Sequence, residues 1–362
     1  MVKILGAGLA GLSSAIVLAK NGYGVEITEK SESVGTVVDD VQAIRNYEGG
    51  GDQLDIFAQE GVILKHANPI HKIVKYAPSR RSMTVHSENS KPIFYTFQRG
   101  THKQSIEMQL YHQAVKLGVN FNFNQTENFY ETNAEIISTG PLHNNIWAFG
   151  AVYSVSDIDP ETILFFMDNN YCPKGYIYLL PYGKKEITIA ATTFDTKCKL
   201  PSLFSKFLQE TPIIKNIIKD AKFLRYTSGY SYSNLPNSAE IKGRKIIGSA
   251  AGFLDPARGF GIKYAILSGI LAAKSIINNV SYDKLWKDAF GKELQDGLKR
   301  RFLLEKMENE DYEKLILNDK ISIHKYEKVP SLLRDKVLKI QYLWESEKFR
   351  KEYSLDKIKL NN

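Results

Sequence analysis

Two glycine-rich segments lie about 240 positions apart in a chain of 362 residues. Gly6-Ala7-Gly8-Leu9-Ala10-Gly11 stands almost at the first residue. The other opens with Gly248-Ser249-Ala250-Ala251-Gly252 and runs through Phe253-Leu254-Asp255-Pro256-Ala257-Arg258 to Gly259-Phe260-Gly261. Either alone is a weak signal. Together they predict a chain that clamps one long dinucleotide at both ends.

Val2-Lys3-Ile4-Leu5 is a short apolar run ending in glycine, which fits a buried parallel strand. Gly6 permits a tight turn, Gly8 lets the backbone approach a pyrophosphate, and Gly11 lets the next helix pack close. Leu9 and Ala10 belong with these contacts. Leu12 to Lys20 reads as the helix, ended by Asn21-Gly22. Its N-terminus offers free N–H groups and partial positive charge to a phosphate. Val25 to Glu29 reads as the second strand, with Glu29 23 positions after Gly6. A carboxylate there accepts hydrogen bonds from ribose hydroxyls and repels a 2′-phosphate. Glu29, with Lys30 beside it, therefore favours FAD or NAD over NADP. The plain alternative is a glycine-rich turn in an ordinary βαβ unit.

Arg244 to Gly248 is strand-like and enters a turn of small residues, where Pro256 fixes the backbone. Gly259 and Gly261 keep side chains off the path, and Ile262 to Ile276 follows as an apolar helix. This layout lays a loop along a flat ring and aims a helix N-terminus at it. At these positions the chain resembles the geranylgeranyl reductase branch of the para-hydroxybenzoate hydroxylase-like flavoproteins. The matching residues are Gly6, Gly8, Gly11, Glu29, Arg99, Gly248, Ala250, Ala251, Gly252, Pro256, Gly259 and Gly261. Tyr176-Ile177-Tyr178-Leu179-Leu180-Pro181 looks like a variant of the family's Tyr-x-Trp-x-Phe-Pro motif. The resemblance implies FAD contacts at Arg99, Thr139, Gly140, Phe260 and Ile262 as well.

The chain departs from the family pattern in three places. Ser249 stands where the family's aspartate binds the ribityl chain, giving up a charge-assisted bond. Cys172 and Cys198 are the only cysteines, and neither stands in the loop after the second strand. One closing glycine is Phe260, whose ring can shape the substrate face of the flavin.

Apolar residues make up 43% of the chain, enough for a substantial core, and 24% are charged, so wholesale disorder is not expected. Two distant cysteines argue for a reducing cytosol and against a disulfide framework. No signal peptide is read, and no uninterrupted apolar run of about 18 residues predicts a membrane span. The net charge of +8 is spread among acids, which disfavours nucleic acid as a partner. No metal site is read.

The expected architecture is mixed α/β (α+β), in three parts. Residues 1–145 and 235–280 form a discontinuous Rossmann-type FAD-binding domain, 146–234 a β-sheet substrate-binding domain, and 281–362 a C-terminal helical region. Residues 31–60 read as a mobile loop over the flavin or substrate entrance; Arg45 there reaches a phosphate or substrate anion, or is simply solvated. Ile70–Tyr76, Ser82–Ser87 and Pro92–Gln98 read as strands, Lys103–Leu117 as a helix, and 203–220 as a helix. Tyr176 to Pro181 and Glu186 to Thr193 form a hairpin turning at Tyr182-Gly183-Lys184-Lys185. Tyr176, Tyr178 and Leu180 share one strand face; they line a substrate pocket, with Pro181, or are plain core. The tail, with Trp286, Tyr312, Tyr326, Tyr342 and Trp344, is expected to pack on the body.

The resemblance implies an enzyme in which reduced FAD passes hydride to an isolated double bond of a prenyl chain. A second NAD(P)H motif is absent, so an external reductant, NAD(P)H or a ferredoxin-like protein, must supply the electrons. Tyr176 and Tyr178 are the candidate proton donors by motif, with ordered water as the alternative. The expected substrate is a prenyl lipid or isoprenoid diphosphate, taken up by a cytoplasmic protein in peripheral contact with the membrane face. The alternatives are an FAD monooxygenase of the hydroxylase branch and a non-redox protein that uses flavin as a scaffold or lacks it.

Overall fold

The computed structural model describes residues 1–46, 51–88 and 90–317. Val2–Leu5 (β1), Leu9–Lys20 (α1) and Val25–Thr28 (β2) form the expected βαβ start, with Val2 opposite Val25 in parallel register. Asn120–Asn122 (β8) extends the sheet beyond β2. On the other side Ile136–Ile137 (β9) and Arg244–Ile246 (β16) join in parallel, and Glu240–Ile241 (β15) closes the edge. The order is β15-β16-β9-β1-β2-β8. Val2, Ile4, Val25 and Ile27 are all buried because helices cover both faces of such a sheet.

Ile106–Lys116 (α3) packs against α1, its first turn capped by Ser105 Oγ, which accepts from the Met108 N–H. Ile262–Ile277 (α6) crosses α1 on the other side. Every residue of α1 from Leu9 to Leu18 is therefore buried. The crossing depends on Gly269, where a Cβ would lie 2.2 Å from the Ala10 carbonyl oxygen. Gly248 meets the same helix, at 2.9 Å from the Ala10 Cβ. Both glycine segments are thus packed directly on one another.

The second layer is a seven-stranded sheet of order β14-β10-β13-β12-β11-β5-β6. Its strands are Lys72–Tyr76 (β5), Ser82–His86 (β6), Ile146–Ser154 (β10), Thr162–Phe166 (β11), Tyr176–Tyr182 (β12), Glu186–Thr193 (β13) and Lys222–Ser231 (β14). The β12–β13 hairpin turns where expected, with Gly183 at φ +58°. Leu200–Glu210 (α4) and Pro212–Ile218 (α5) cover the outer face through Phe204, Phe207 and Ile214. The single helix expected over 203–220 is broken at Thr211, because Pro212 carries no N–H to continue it.

A three-stranded sheet bridges the layers: Val41–Arg45 (β3), Phe94–Gln98 (β7) and Asn68–Ile70 (β4). This corrects the expected mobile loop over 31–60, which holds β3 and the helix Gln53–Gln59 (α2). Gln42 and Arg45 interrupt the apolar pattern of β3, so its burial is visible only once β7 pairs with it. Tyr282–Trp286 (α7), Lys292–Leu304 (α8) and Asn309–Leu317 (α9) follow. Trp286 joins the nucleotide-side core, and Tyr312 and Ile316 pack on Met167 and Tyr176. The tail packs on the body, as expected, through residue 317; Tyr326, Tyr342 and Trp344 lie outside the described residues.

Alanine is the better helix former by about 1 kcal/mol, yet Gly269→Ala is expected to destabilise by about 2 kcal/mol through overpacking against backbone. Urea unfolding measures this, and a stabilised variant would contradict the close crossing.

Candidate functional site

A cavity of about 760 Å³ lies between the layers, and both glycine segments line it. At one end stand Gly6, Gly8, Leu9, Ala10, Glu29 and Lys30. Gly6 has φ +102°, and a Cβ there would be 2.3 Å from the Ser138 carbonyl oxygen, so glycine is required. At Gly8 the nearest atom to a Cβ is 3.9 Å away, which leaves the backbone approachable from the cavity. Gly8 brings no side-chain cap to α1, and Ser138 Oγ accepts the Gly11 N–H at 3.1 Å, so the first N–H groups of the helix can receive an anion. Glu29 is fixed by two backbone donors, Ala7 N–H at 2.7 Å and Ser31 N–H at 2.9 Å. Each carboxylate oxygen keeps a further lone pair for a ribose hydroxyl. Thr139 and Gly140 line the same end, and Thr139 Oγ1 is buried without a hydrogen-bond partner among the described residues. An orphaned hydroxyl of this kind fits a bound polar ligand.

The second glycine segment forms the middle of the cavity wall. Gly248, Ser249, Gly259, Phe260, Gly261 and Ile262 line it. The turn is tight: Gly259 N–H donates to Asp255 O at 2.8 Å, and Asp255 N–H to Phe260 O at 2.9 Å. It is anchored from β3. Arg45 is 3% exposed and pairs with Asp255 at 2.8 Å and Glu293 of α8 at 2.6 Å. Its guanidinium also sits 5.7 Å from the Phe260 ring centroid. Arg45 is therefore neither solvated nor part of the cavity lining, correcting both readings of it. Arg99 does line the cavity, held by Glu107 Oε1 at 2.5 Å and by Gln42.

The inward face of the seven-stranded sheet supplies the rest. Strand register sets its side chains in rows: Ile73, Ile163 and Leu180; then Lys75, Phe165 and Tyr178; then Met167, Tyr176 and Thr192. Leu304, Met307, Tyr312 and Leu315 close the far end. The Tyr176 hydroxyl donates to the Arg258 carbonyl oxygen. Burial pushes the Tyr176 and Tyr178 phenols well above their usual range, which weakens them as acids. Cys172 is buried behind the sheet, its thiol raised by burial, and does not reach the cavity.

Three assigned positions lie outside the lining. Gly11 faces backward, where a Cβ would be 2.1 Å from the Gly6 carbonyl oxygen. Pro256 packs on Gly297 of α8. Pro181 alternates away from the inward face and offers its carbonyl to Thr96 Oγ1 at 2.6 Å. Sequence reasoning missed Lys75, which lines the cavity, and the buried Asp40, which does not. Burial, reinforced by Arg258, lowers the Lys75 amine to about 7. Burial raises the Asp40 carboxyl to about 6 against the opposing pull of Arg99 and a hydrogen bond from Thr227. Lys75 was readable only as a charge at an inward position of a strand; the alternation of β5 carried that signal.

Arg45→Ala leaves Asp255 buried beside a partial cavity and is expected to cost about 3–5 kcal/mol, read by urea unfolding. A loss under about 1 kcal/mol would show that the pair does not anchor the turn.

Residues 4–59 match the model of an NAD(P)-binding Rossmann-like domain. The digeranylgeranylglycerophospholipid reductase of Methanocaldococcus jannaschii is 24% identical, the match covering 87% of this chain and 89% of the relative. The enzyme of the same name from Methanococcus vannielii is 23% identical over 92% and 96%. A shorter match, 27% identical to an uncharacterized protein of M. jannaschii, covers 43% of that relative. Among solved structures, a geranylgeranyl bacteriochlorophyll reductase-like protein from Thermoplasma acidophilum superposes with a TM-score of 0.73 at 20% identity, over 92% of this chain and 98% of that one. A flavin-dependent brominase gives 0.59 at 16% identity, over 93% and 92%. The chain has the mixed α/β fold of these solved structures, and its resemblance to the geranylgeranyl reductases holds over nearly its whole length.

Proposed function

We propose that the chain is an FAD-dependent oxidoreductase that reduces isolated double bonds of geranylgeranyl or other prenyl chains. The observation that carries this reading is the continuity of the cavity: two glycine segments at one side, an apolar sheet face at the other. FAD fits the first part. Glu29 would take the ribose, the α1 N-terminus the pyrophosphate, Thr139 and Gly140 the adenosine half, and Ser249 the ribityl chain. Gly259 to Ile262 would lie along the ring. When bound, FAD supplies a carrier of two electrons as hydride. Ile73, Ile163, Phe165, Met167 and Leu180 would hold the chain and exclude water, each buried CH₂ contributing about 0.8 kcal/mol. Arg45 keeps the turn at Asp255 in place, which fixes the angle between ring site and apolar face.

Electrons come from an external donor, NAD(P)H or a ferredoxin-like protein. No helix among the described residues is long and apolar enough to cross a membrane. A prenyl lipid would be collected by peripheral contact with a membrane surface. The relatives carry the names of reductases that act on such lipids, which supports the substrate class.

Anaerobic enzyme reduced with dithionite is expected to convert a geranylgeranyl lipid to products heavier by successive pairs of hydrogens, read by mass spectrometry. Product that forms only with oxygen and gains an oxygen atom would instead establish a monooxygenase. Glu29→Lys places a cation where the ribose acceptor stands, and the variant is expected to lose its flavin on dialysis. A variant that stays yellow would refute the placement of the ribose.

A further inference from the structure

We propose that Lys75 is the proton donor of the reduction, a catalytic residue on the inward face of the seven-stranded sheet. This rests on the reading of the cavity as a prenyl reductase site. Hydride reaching one carbon of an isolated double bond leaves the other in need of a proton, and the wall around an apolar chain offers few sources. Glu29, Lys30 and Glu127 belong to the nucleotide end. The arginines of the lining stay protonated at any working pH. Lys174 stands exposed at the surface.

Lys75 stands apart from these. It is 9% exposed, it lines the cavity, and strand register places it in one row with Phe165 and Tyr178. On the inward face of its strand it follows Ile73, and the other members of its own row are aromatic. The groups around it are Arg258 from the glycine turn and Tyr176 and Tyr178 from β12; Arg300, Arg301 and Tyr312 line the same cavity from α8 and α9. Burial first, and the Arg258 charge second, bring the ammonium to an acidity of about 7. The phenols of Tyr176 and Tyr178 move the other way. Near neutral pH the ammonium is therefore the stronger acid of the row.

The balance of the step is simple. The π bond of the alkene breaks. One carbon takes hydride, and with it two electrons drawn from the external reductant by way of the flavin. The other carbon takes H⁺ from the Lys75 ammonium, leaving a neutral amine that is reprotonated from water. The donor must be charged to act, so the rate is highest below pH 7 and falls about tenfold per pH unit well above it.

The test uses full-length enzyme, reduced anaerobically with dithionite and mixed with geranylgeranyl diphosphate, while flavin reoxidation is followed across pH. Lys75→Met and Lys75→Arg are expected to keep the flavin spectrum and its affinity, lose about 10²–10⁴-fold in reoxidation rate, and lose the fall above pH 7. The arginine variant keeps the charge, so a purely electrostatic or packing role would leave it near wild type. Independently, ¹³C-dimethyl labelling and NMR should show one lysine titrating near 7 that is absent from Lys75→Arg. Variants that match the wild-type rate and pH profile overturn the proposal, as does a Lys75 amine that titrates in the ordinary lysine range. If the wild-type flavin is not reoxidised by the prenyl substrate at all, the reductase reading itself falls, and the role of Lys75 with it.

Discussion

The contact on which the rest of the structure depends is the backbone-to-backbone crossing of α1 and α6 at Ala10 and Gly269. The helix that begins at one glycine segment is pressed against the helix that begins at the other. A dinucleotide spanning both would meet a single rigid edge, not two parts that must find each other. Small residues at the crossing make this possible, since a backbone carbonyl cannot step aside as a flexible side chain can.

A second constraint aligns the apolar sheet with that edge. Arg45, Asp255 and Glu293 draw together a strand, the glycine turn and α8. Desolvating such charges is costly, and a buried ion pair often contributes little net stability. Its value here is positional: it sets the turn that would carry the ring against the rows of Ile73, Phe165 and Tyr176. The fold thus separates two environments in one cavity, a polar end with backbone donors and an apolar end with a few buried ionisable groups. Perturbed acidities gather at that boundary, as they do where chemistry is performed.

Much of this was legible in the sequence. The βαβ start, the β12–β13 hairpin and the helix after Gly261 follow from local signals: glycine at required positive φ, strand alternation, apolar periodicity. What was not legible depends on partners distant in sequence. Arg45 looked like a solvated loop residue because its acids lie 210 and 248 positions away. The strand that carries it shows little alternation until β7 covers it. Lys75 looked like any lysine in a half-exposed strand, and only the approach of β11, β12 and the glycine turn buries it. Pro256 and Pro181 were assigned from motif position, which fixes a place in the chain but not the direction a residue faces.

The most direct test of the account is the identity of whatever the purified protein carries. Visible spectroscopy followed by denaturation and mass analysis of the released small molecule should find flavin bands and one FAD per chain. A colourless protein that takes up NAD and refuses FAD would contradict the account, because the second glycine segment would then have no ring to hold.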